Sequence, residues 1–114
     1  MLQDYPNTQL FINGEWQNSK SNETLEIINP ATEEVIGKLS HARKEDLDVA
    51  LNAAENAFNE WKNVSAYERS KIMRKAADIF RSRADYIAKL MTIEQGKPLV
   101  CLLYTSDAAD DLIG

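Results

Sequence analysis

Few residues in this sequence could do chemistry. There is one cysteine, Cys101, and one histidine, His41. A cysteine nucleophile needs a base and an orienting group close by, and this histidine stands 60 residues upstream, on a predicted loop before a helix. We therefore interpret Cys101 as a structural or accidental residue and His41 as a solvated loop residue. A structural zinc site, which needs four Cys or His ligands, and a disulfide framework are both excluded.

The remaining polar patterns predict no active site either. The four glycines stand at positions 14, 37, 96 and 114, too far apart to form a phosphate-binding loop. Glu33 and Glu34 are adjacent, so in an extended segment their side chains point to opposite faces and cannot act as an acid–base pair. We interpret these two carboxylates as the solvated part of a turn.

Charge and composition narrow the class of protein. The 114 residues include 13 basic and 18 acidic side chains, which gives a net charge of −5. This charge argues against a nucleic-acid partner or an anionic membrane surface. No stretch approaches the roughly 18 to 20 apolar residues of a membrane-spanning helix, and the N-terminus lacks the basic start of a secretory signal. We expect a reducing, cytoplasmic setting.

The first forty residues predict a β-ribbon. Asn13-Gly14 lies between apolar residues of the segment Leu10–Trp16 and favours a type I′ hairpin turn, in which both central residues need a positive φ. A strand over Thr24–Ile28 is expected to stop at Asn29-Pro30, because proline cannot donate a hydrogen bond to a sheet. A further strand is predicted over Val35–Leu39. Residues 1–9 are interpreted as an N-terminal tail.

The hydrophobic period then changes to that of helices. One amphipathic helix is predicted from Lys44 to Lys62, with acidic residues in its first turn, where the helix dipole favours them. Ser65 and Glu68 form a capping-box pattern that starts a second helical stretch, with a break near residues 82–85. Gly96-Lys97-Pro98 is a helix stop signal. The expected fold class is thus α+β, a β-hairpin or ribbon followed by amphipathic helices.

Four motifs in order carry a family resemblance. They are Phe11-Ile12-Asn13-Gly14-Glu15-Trp16, Ile28-Asn29-Pro30-Ala31-Thr32, Glu33-Glu34-Val35-Ile36-Gly37 and Glu94-Gln95-Gly96-Lys97-Pro98-Leu99. Together they resemble the N-terminal region of the NAD(P)-dependent aldehyde dehydrogenase superfamily over residues 10–99. The amino-acid sequence of residues 90–99 is most similar to that of the succinate-semialdehyde dehydrogenase branch. The resemblance implies that the chain forms part of the α/β aldehyde dehydrogenase fold.

The resemblance also implies an activity for a full-length parent. In the family a cysteine thiolate attacks the aldehyde, hydride passes to the nicotinamide, and a Glu-activated water hydrolyses the thioester. Those catalytic residues and the nucleotide-binding strands lie downstream of the segment that matches Pro98. We therefore expect no catalytic and no cofactor-binding residue in this chain. NAD or NADP, the small aldehyde and homo-oligomer formation are expected of the parent.

One family feature maps onto residues that are present. Members that bind a structural monovalent cation hold it partly with backbone carbonyls just before the Asn-Pro and with a carboxylate just before the Gly-Lys-Pro. The matching residues are Ile27, Ile28 and Glu94, and backbone carbonyls supply the oxygen ligands that hard cations prefer whatever the side chain. The alternative is that Glu94 merely occupies a helix end.

Residues 100–114 depart from the family pattern. Their string, Val-Cys-Leu-Leu-Tyr-Thr-Ser-Asp-Ala-Ala-Asp-Asp-Leu-Ile-Gly, resembles a translated sequencing-library adapter. We interpret it as an adapter-derived artefact and the chain as a truncated reading frame, inactive by itself. The alternative hypothesis is a free-standing, non-catalytic helical interaction module that docks a partner through the apolar stripes at Leu47–Trp61 and Ile72–Met91.

Overall fold

The computed structural model of the chain describes residues 5–102. Short strands come first and helices follow, which confirms the α+β class. In chain order the elements are β1 (Leu10–Ile12), β2 (Glu15–Gln17), β3 (Thr24–Ile28), β4 (Val35–Ser40), α1 (Lys44–Trp61), α2 (Ala66–Ser82) and α3 (Ala84–Gln95). The described chain divides into two compact units: a strand unit, residues 6–27 and 36–64, and a helix unit, residues 5, 28–35 and 65–102.

The first hairpin is confirmed. Asn13 and Gly14 have φ angles of 54° and 78°, as a type I′ turn requires. The turn sets the antiparallel register of β1 and β2, in which the paired residues are Leu10 with Gln17, Phe11 with Trp16 and Ile12 with Glu15.

The second pair of strands, β3 and β4, forms a separate two-stranded sheet. In the strand unit, the N–H of Thr8 donates to the Lys38 carbonyl at 3.0 Å, and the N–H of Ser40 donates to the Thr8 carbonyl at 2.8 Å. Thr8 therefore forms an isolated parallel bridge beside β4. The interpretation of residues 1–9 as a tail stays a prediction, and this backbone pairing places Thr8 in the strand unit.

The helix boundaries follow the predicted caps. The Ser65 hydroxyl accepts a hydrogen bond from the Glu68 N–H at 3.2 Å, which starts α2. The predicted break is confirmed, since α2 ends at Ser82 and α3 begins at Ala84. At the end of α3, Gly96 takes a φ of 74° and its N–H donates to the Thr92 carbonyl at 2.8 Å. This left-handed glycine is the predicted C-terminal cap.

The apolar faces of the helices are largely exposed. In α1 the buried residue is Asp46, and α2 has none. Large apolar side chains that are between 45% and 60% exposed occur along both helices: Leu47, Leu51 and Phe58 in α1, and Ile72, Met73, Ile79 and Phe80 in α2. The predicted amphipathic stripes are thus present, and the described part of the chain does not cover them. Within residues 5–102, no helix has the length and hydrophobicity needed to cross a bilayer.

The chain after Pro98 continues as a short helical turn over residues 99–102. The N–H groups of Cys101 and Leu102 both donate to the Pro98 carbonyl, at 3.0 and 3.3 Å. Leu102 is only 3% exposed. The interpretation of residues 100–114 as an unrelated tail stays a prediction, and its larger part, 103–114, lies outside the described residues. Leu102 itself belongs to the helix unit.

Candidate functional site

The cysteine and the histidine have separate surroundings. Cys101 is exposed in the helical turn of the helix unit. His41 belongs to the strand unit, where its N–H donates to the Glu23 carbonyl at 2.8 Å. Among residues 5–102 no group of three or more His, Cys, Asp or Glu side chains could hold a metal ion. The absence of catalytic and cofactor-binding residues from this chain stays a prediction.

The Asn-Pro motif builds a turn. The Asn29 side-chain oxygen accepts from the Ala31 N–H at 3.0 Å, and the Asn29 carbonyl accepts from the Glu33 N–H at 2.8 Å. The Asn29 N–H donates in turn to the Glu34 carbonyl at 2.9 Å, which closes the turn. Glu33 lies in the left-handed region with a φ of 62°. These bonds assign Asn29 a structural role and agree with the interpretation of Glu33 and Glu34 as turn residues.

The Gly-Lys-Pro motif meets the Asn-Pro motif inside the helix unit. A Cβ atom added at Gly96 would lie 3.2 Å from Cγ of Pro30, closer than an ordinary van der Waals contact. Glycine is therefore favoured at this position twice, by its positive φ and by the nearby proline ring. Motif spacing along the chain predicted the cap at Gly96 but gave no sign of this contact.

Glu94 lies in the last turn of α3 and accepts a hydrogen bond from an unexpected partner. The Tyr5 hydroxyl donates to Oε2 of Glu94 at 2.5 Å, across 89 residues of sequence. Burial of Tyr5, followed by its hydrogen bond to Glu94 and the negative charge of that carboxylate, raises the pKa of Tyr5 to about 12. Sequence reasoning missed Tyr5, because nothing in the pattern of the first nine residues distinguishes this tyrosine.

The residues of the helix unit suit the predicted cation. Glu94 brings a carboxylate and Ile28, at the end of β3, brings a backbone carbonyl; both are oxygen donors of the kind that hard cations prefer. Ile27, the third predicted ligand, belongs to the strand unit. The bond from Tyr5 engages Oε2, and the carboxylate has a second oxygen, Oε1. The last turn of α3 contains no basic residue, so Glu94 adds negative charge to the negative end of the helix dipole. The cation itself stays a prediction.

Asp46 is the buried carboxylate of the strand unit. It is 4% exposed, and its oxygens accept from the N–H groups of Arg43 at 2.9 Å and Lys20 at 3.0 Å. These two hydrogen bonds, that of Arg43 first, lower the pKa of Asp46. The bond from Arg43 caps the first turn of α1, and the bond from Lys20 holds the loop after β2 against it. Asp46 therefore has a structural role.

Comparison with known proteins places these features in a family. The profile of the Aldehyde dehydrogenase family matches residues 16–109. A protein of that family from Staphylococcus aureus (strain bovine RF122 / ET3-1) is 47% identical over 98 residues, which are 86% of this chain and 20% of that protein.

Two solved structures are similar to this chain in fold. Succinate-semialdehyde dehydrogenase from Burkholderia pseudomallei is 34% identical with a TM-score of 0.85, over 88% of this chain and 21% of that one. Betaine aldehyde dehydrogenase from Staphylococcus aureus, in complex with NAD+, is 35% identical with a TM-score of 0.85, over 88% and 20%. The chain thus spans about a fifth of the length of the relatives it matches. It belongs to the aldehyde dehydrogenase family.

Proposed function

We propose that this chain is the N-terminal part of an aldehyde dehydrogenase whose complete polypeptide oxidises an aldehyde to the carboxylate with NAD or NADP. Family membership supports the reaction class, and the NAD+ complex of the similar betaine aldehyde dehydrogenase supports a nicotinamide cofactor. The observation that carries the proposal is the match to about a fifth of each relative. The exposed apolar faces of α1 and α2 agree with it, because such faces gain stability only when other protein covers them.

Succinate semialdehyde is the substrate that we propose for the parent. Two observations support this substrate: the amino-acid sequence of residues 90–99 and the similarity of the chain to the Burkholderia pseudomallei enzyme. The test compares kcat/KM of the full-length enzyme for succinate semialdehyde and for betaine aldehyde, since the betaine aldehyde dehydrogenase is about equally similar. A preference for betaine aldehyde would contradict this substrate.

The 114-residue chain itself is expected to be inactive. NAD or NADP accepts hydride when bound to the parent, and we assign no contact with it to the described residues. The purified chain, mixed with succinate semialdehyde and either cofactor, should give no absorbance of reduced nicotinamide. The full-length enzyme, assayed in parallel, is the positive control. Aldehyde-dependent reduction by the chain alone would overturn the proposal.

The alternative, a free-standing helical interaction module, predicts different solution behaviour. A chain whose helix faces need further protein should bind a hydrophobic dye and aggregate as its concentration rises. A module should instead be a soluble monomer with a sharp cooperative melt and no dye binding. The exposed side chains of α1 and α2 favour dye binding.

For the parent we propose a cytoplasmic homo-oligomer with no nucleic-acid or membrane partner. Gel filtration tests the oligomeric state, and cell fractionation tests the location.

We also propose that Glu94 and the backbone carbonyl of Ile28, both in the helix unit, hold a structural monovalent cation. The donor set and the helix end support it, as described above. Thermal melting in potassium chloride, in sodium chloride and in choline chloride, at one ionic strength, tests the site. Potassium or sodium should raise the melting temperature above its value in choline, because a ligand that binds only the folded state stabilises it. Equal melting temperatures in the three salts would contradict the site.

A further inference from the structure

The bond between Tyr5 and Glu94 places a neutral donor on a carboxylate at the negative end of a helix. At such a position a carboxylate gains from any group that donates a hydrogen bond or brings positive charge. The Tyr5 hydroxyl donates a hydrogen bond to Oε2 without bringing positive charge to the helix end. A lysine or arginine at this place would have brought a positive charge that competes with a cation.

We propose that Tyr5 is a positioning residue for the structural cation at Glu94. This proposal rests on the cation site proposed above. By holding Oε2, Tyr5 restrains the rotamers of the Glu94 side chain and leaves Oε1 as the carboxylate oxygen for the cation. The entropy cost of ordering a flexible glutamate is then met before the cation binds, which strengthens binding without a further ligand. In other metal sites, hydrogen bonds from residues that do not bind the metal orient its ligands and strengthen binding in the same way.

The experiment measures potassium binding by the full 114-residue chain and its variants. Melting temperature is followed by circular dichroism as choline chloride is replaced by potassium chloride, and thallium NMR reports ion binding directly. Tyr5→Phe, which removes only the hydroxyl, should weaken the apparent potassium affinity roughly three- to tenfold, the usual effect of one hydrogen bond. Glu94→Gln should abolish the potassium effect. Tyr67→Phe, a matched change at an exposed tyrosine, should leave it at the wild-type value.

A second variant separates positioning from stability. Glu94→Asp keeps the charge but shortens the side chain, so that Tyr5 no longer reaches the carboxylate. It should bind potassium less tightly, and adding Tyr5→Phe to it should cause no further loss. A further loss of potassium affinity on adding Tyr5→Phe to Glu94→Asp would overturn the role of Tyr5.

The outcomes distinguish the two proposals. Loss of the potassium effect in Glu94→Gln with full retention in Tyr5→Phe would overturn the role of Tyr5 and leave the cation site standing. The role of Tyr5 would also be overturned if Tyr5→Phe lowered the melting temperature equally in potassium chloride and in choline chloride. No effect of potassium or sodium on wild type would overturn the cation site, and the positioning role with it.

Discussion

The first turn of α1 and the apolar stripe of the same helix contrast sharply. In the first turn a carboxylate, Asp46, is buried and accepts two backbone hydrogen bonds. Its neighbour Leu47 is exposed, although leucine is among the residues most often buried in proteins and aspartate among the least. The polar requirements of this turn are therefore met within the described chain, while the apolar surface of the helix is left open.

The contrast has a physical cause. A hydrogen bond needs one partner in the right place, which a loop a few residues long can supply. Apolar burial is proportional to area, and a large side chain needs contacts from many directions at once. Short chains can therefore complete their caps and turns before they can complete a core. A relative about four times as long has far more apolar area with which to cover such helix faces.

The largest effect on stability is expected at Leu102, because this apolar side chain is buried, unlike those along α1. This side chain is 3% exposed and Val100 is 78% exposed, although both belong to the same helical turn. Leu102→Ala should lower the free energy of unfolding by about 2 to 5 kcal/mol, because it leaves a cavity. Val100→Ala should change it by no more than about 0.5 kcal/mol. Urea unfolding followed by circular dichroism measures both.

The same measurement tests the segment after Leu102. A chain that ends at Leu102 should unfold as the 114-residue chain does if residues 103–114 are foreign to the fold. A chain that ends at Leu99 should lose the contribution of Leu102. Equal stabilities for Leu102→Ala and Val100→Ala would show that this turn adds nothing, as the interpretation of the whole tail as an artefact requires.

The next largest effect is expected at Asp46, whose buried carboxylate should make the stability of the chain depend on pH. Its pKa is lowered in the folded chain, so the unfolded chain binds the proton more tightly. The stability that this carboxylate contributes should be complete above its unfolded pKa of about 4 and should fall as the pH drops through the lower folded pKa. Asp46→Asn should be less stable at neutral pH and should lack this acid limb. Thermal melts between neutral and strongly acidic pH measure the difference.

Asp48→Asn is the matched control. Asp48 is exposed and pairs with Lys44 at 2.9 Å, an exposed contact of a type that contributes little. Its replacement should leave the acid limb in place and lower the melting temperature less than Asp46→Asn does. If the two variants melted alike, the buried hydrogen bonds of Asp46 would not be what stabilises the start of α1.

The features that the sequence could predict depend on neighbouring residues. Asn13-Gly14, Ser65 and Gly96 each act within a turn of chain, so residue type and position suffice to predict them. The bond from Lys20 to Asp46 spans 26 residues and that from Tyr5 to Glu94 spans 89. No periodicity encodes such pairs, because they depend on how separate segments come together.

The candidate site shows the same division. Glu94 could be proposed because it stands in a family motif, whereas Tyr5, which contacts it, stands in a segment without a motif. The family pattern thus pointed to Glu94 as a candidate ligand, and only the fold could add its hydrogen-bond partner Tyr5.

A smaller effect is expected where two motifs meet, at Gly96 and Pro30. Gly96→Ala should cost about 1 to 2 kcal/mol for the left-handed conformation, and more because its Cβ would lie 3.2 Å from the proline ring. Gly14→Ala is the control, since Gly14 has a similar φ of 78° and open space around its added Cβ. The excess cost at Gly96 should disappear when Pro30→Ala is added. If Gly96→Ala and Gly14→Ala lost the same stability, the closeness of Pro30 to Gly96 would make no contribution to the free energy of unfolding.

The smallest expected effect lies in the first hairpin, where Phe11 and Trp16 form a cross-strand pair. Their ring centroids are 4.8 Å apart with an angle of 47° between the planes, and the residues are 60% and 63% exposed. Because much of each ring stays in water, we expect a coupling energy of about 0.5 kcal/mol, at the low end for aromatic pairs. A double-mutant cycle of Phe11→Ala, Trp16→Ala and the double variant measures it by urea unfolding. A coupling above about 1.5 kcal/mol would exceed the usual range for such pairs. It would show that an apolar contact can stabilise this chain without further protein to cover it, contrary to the behaviour expected of α1 and α2.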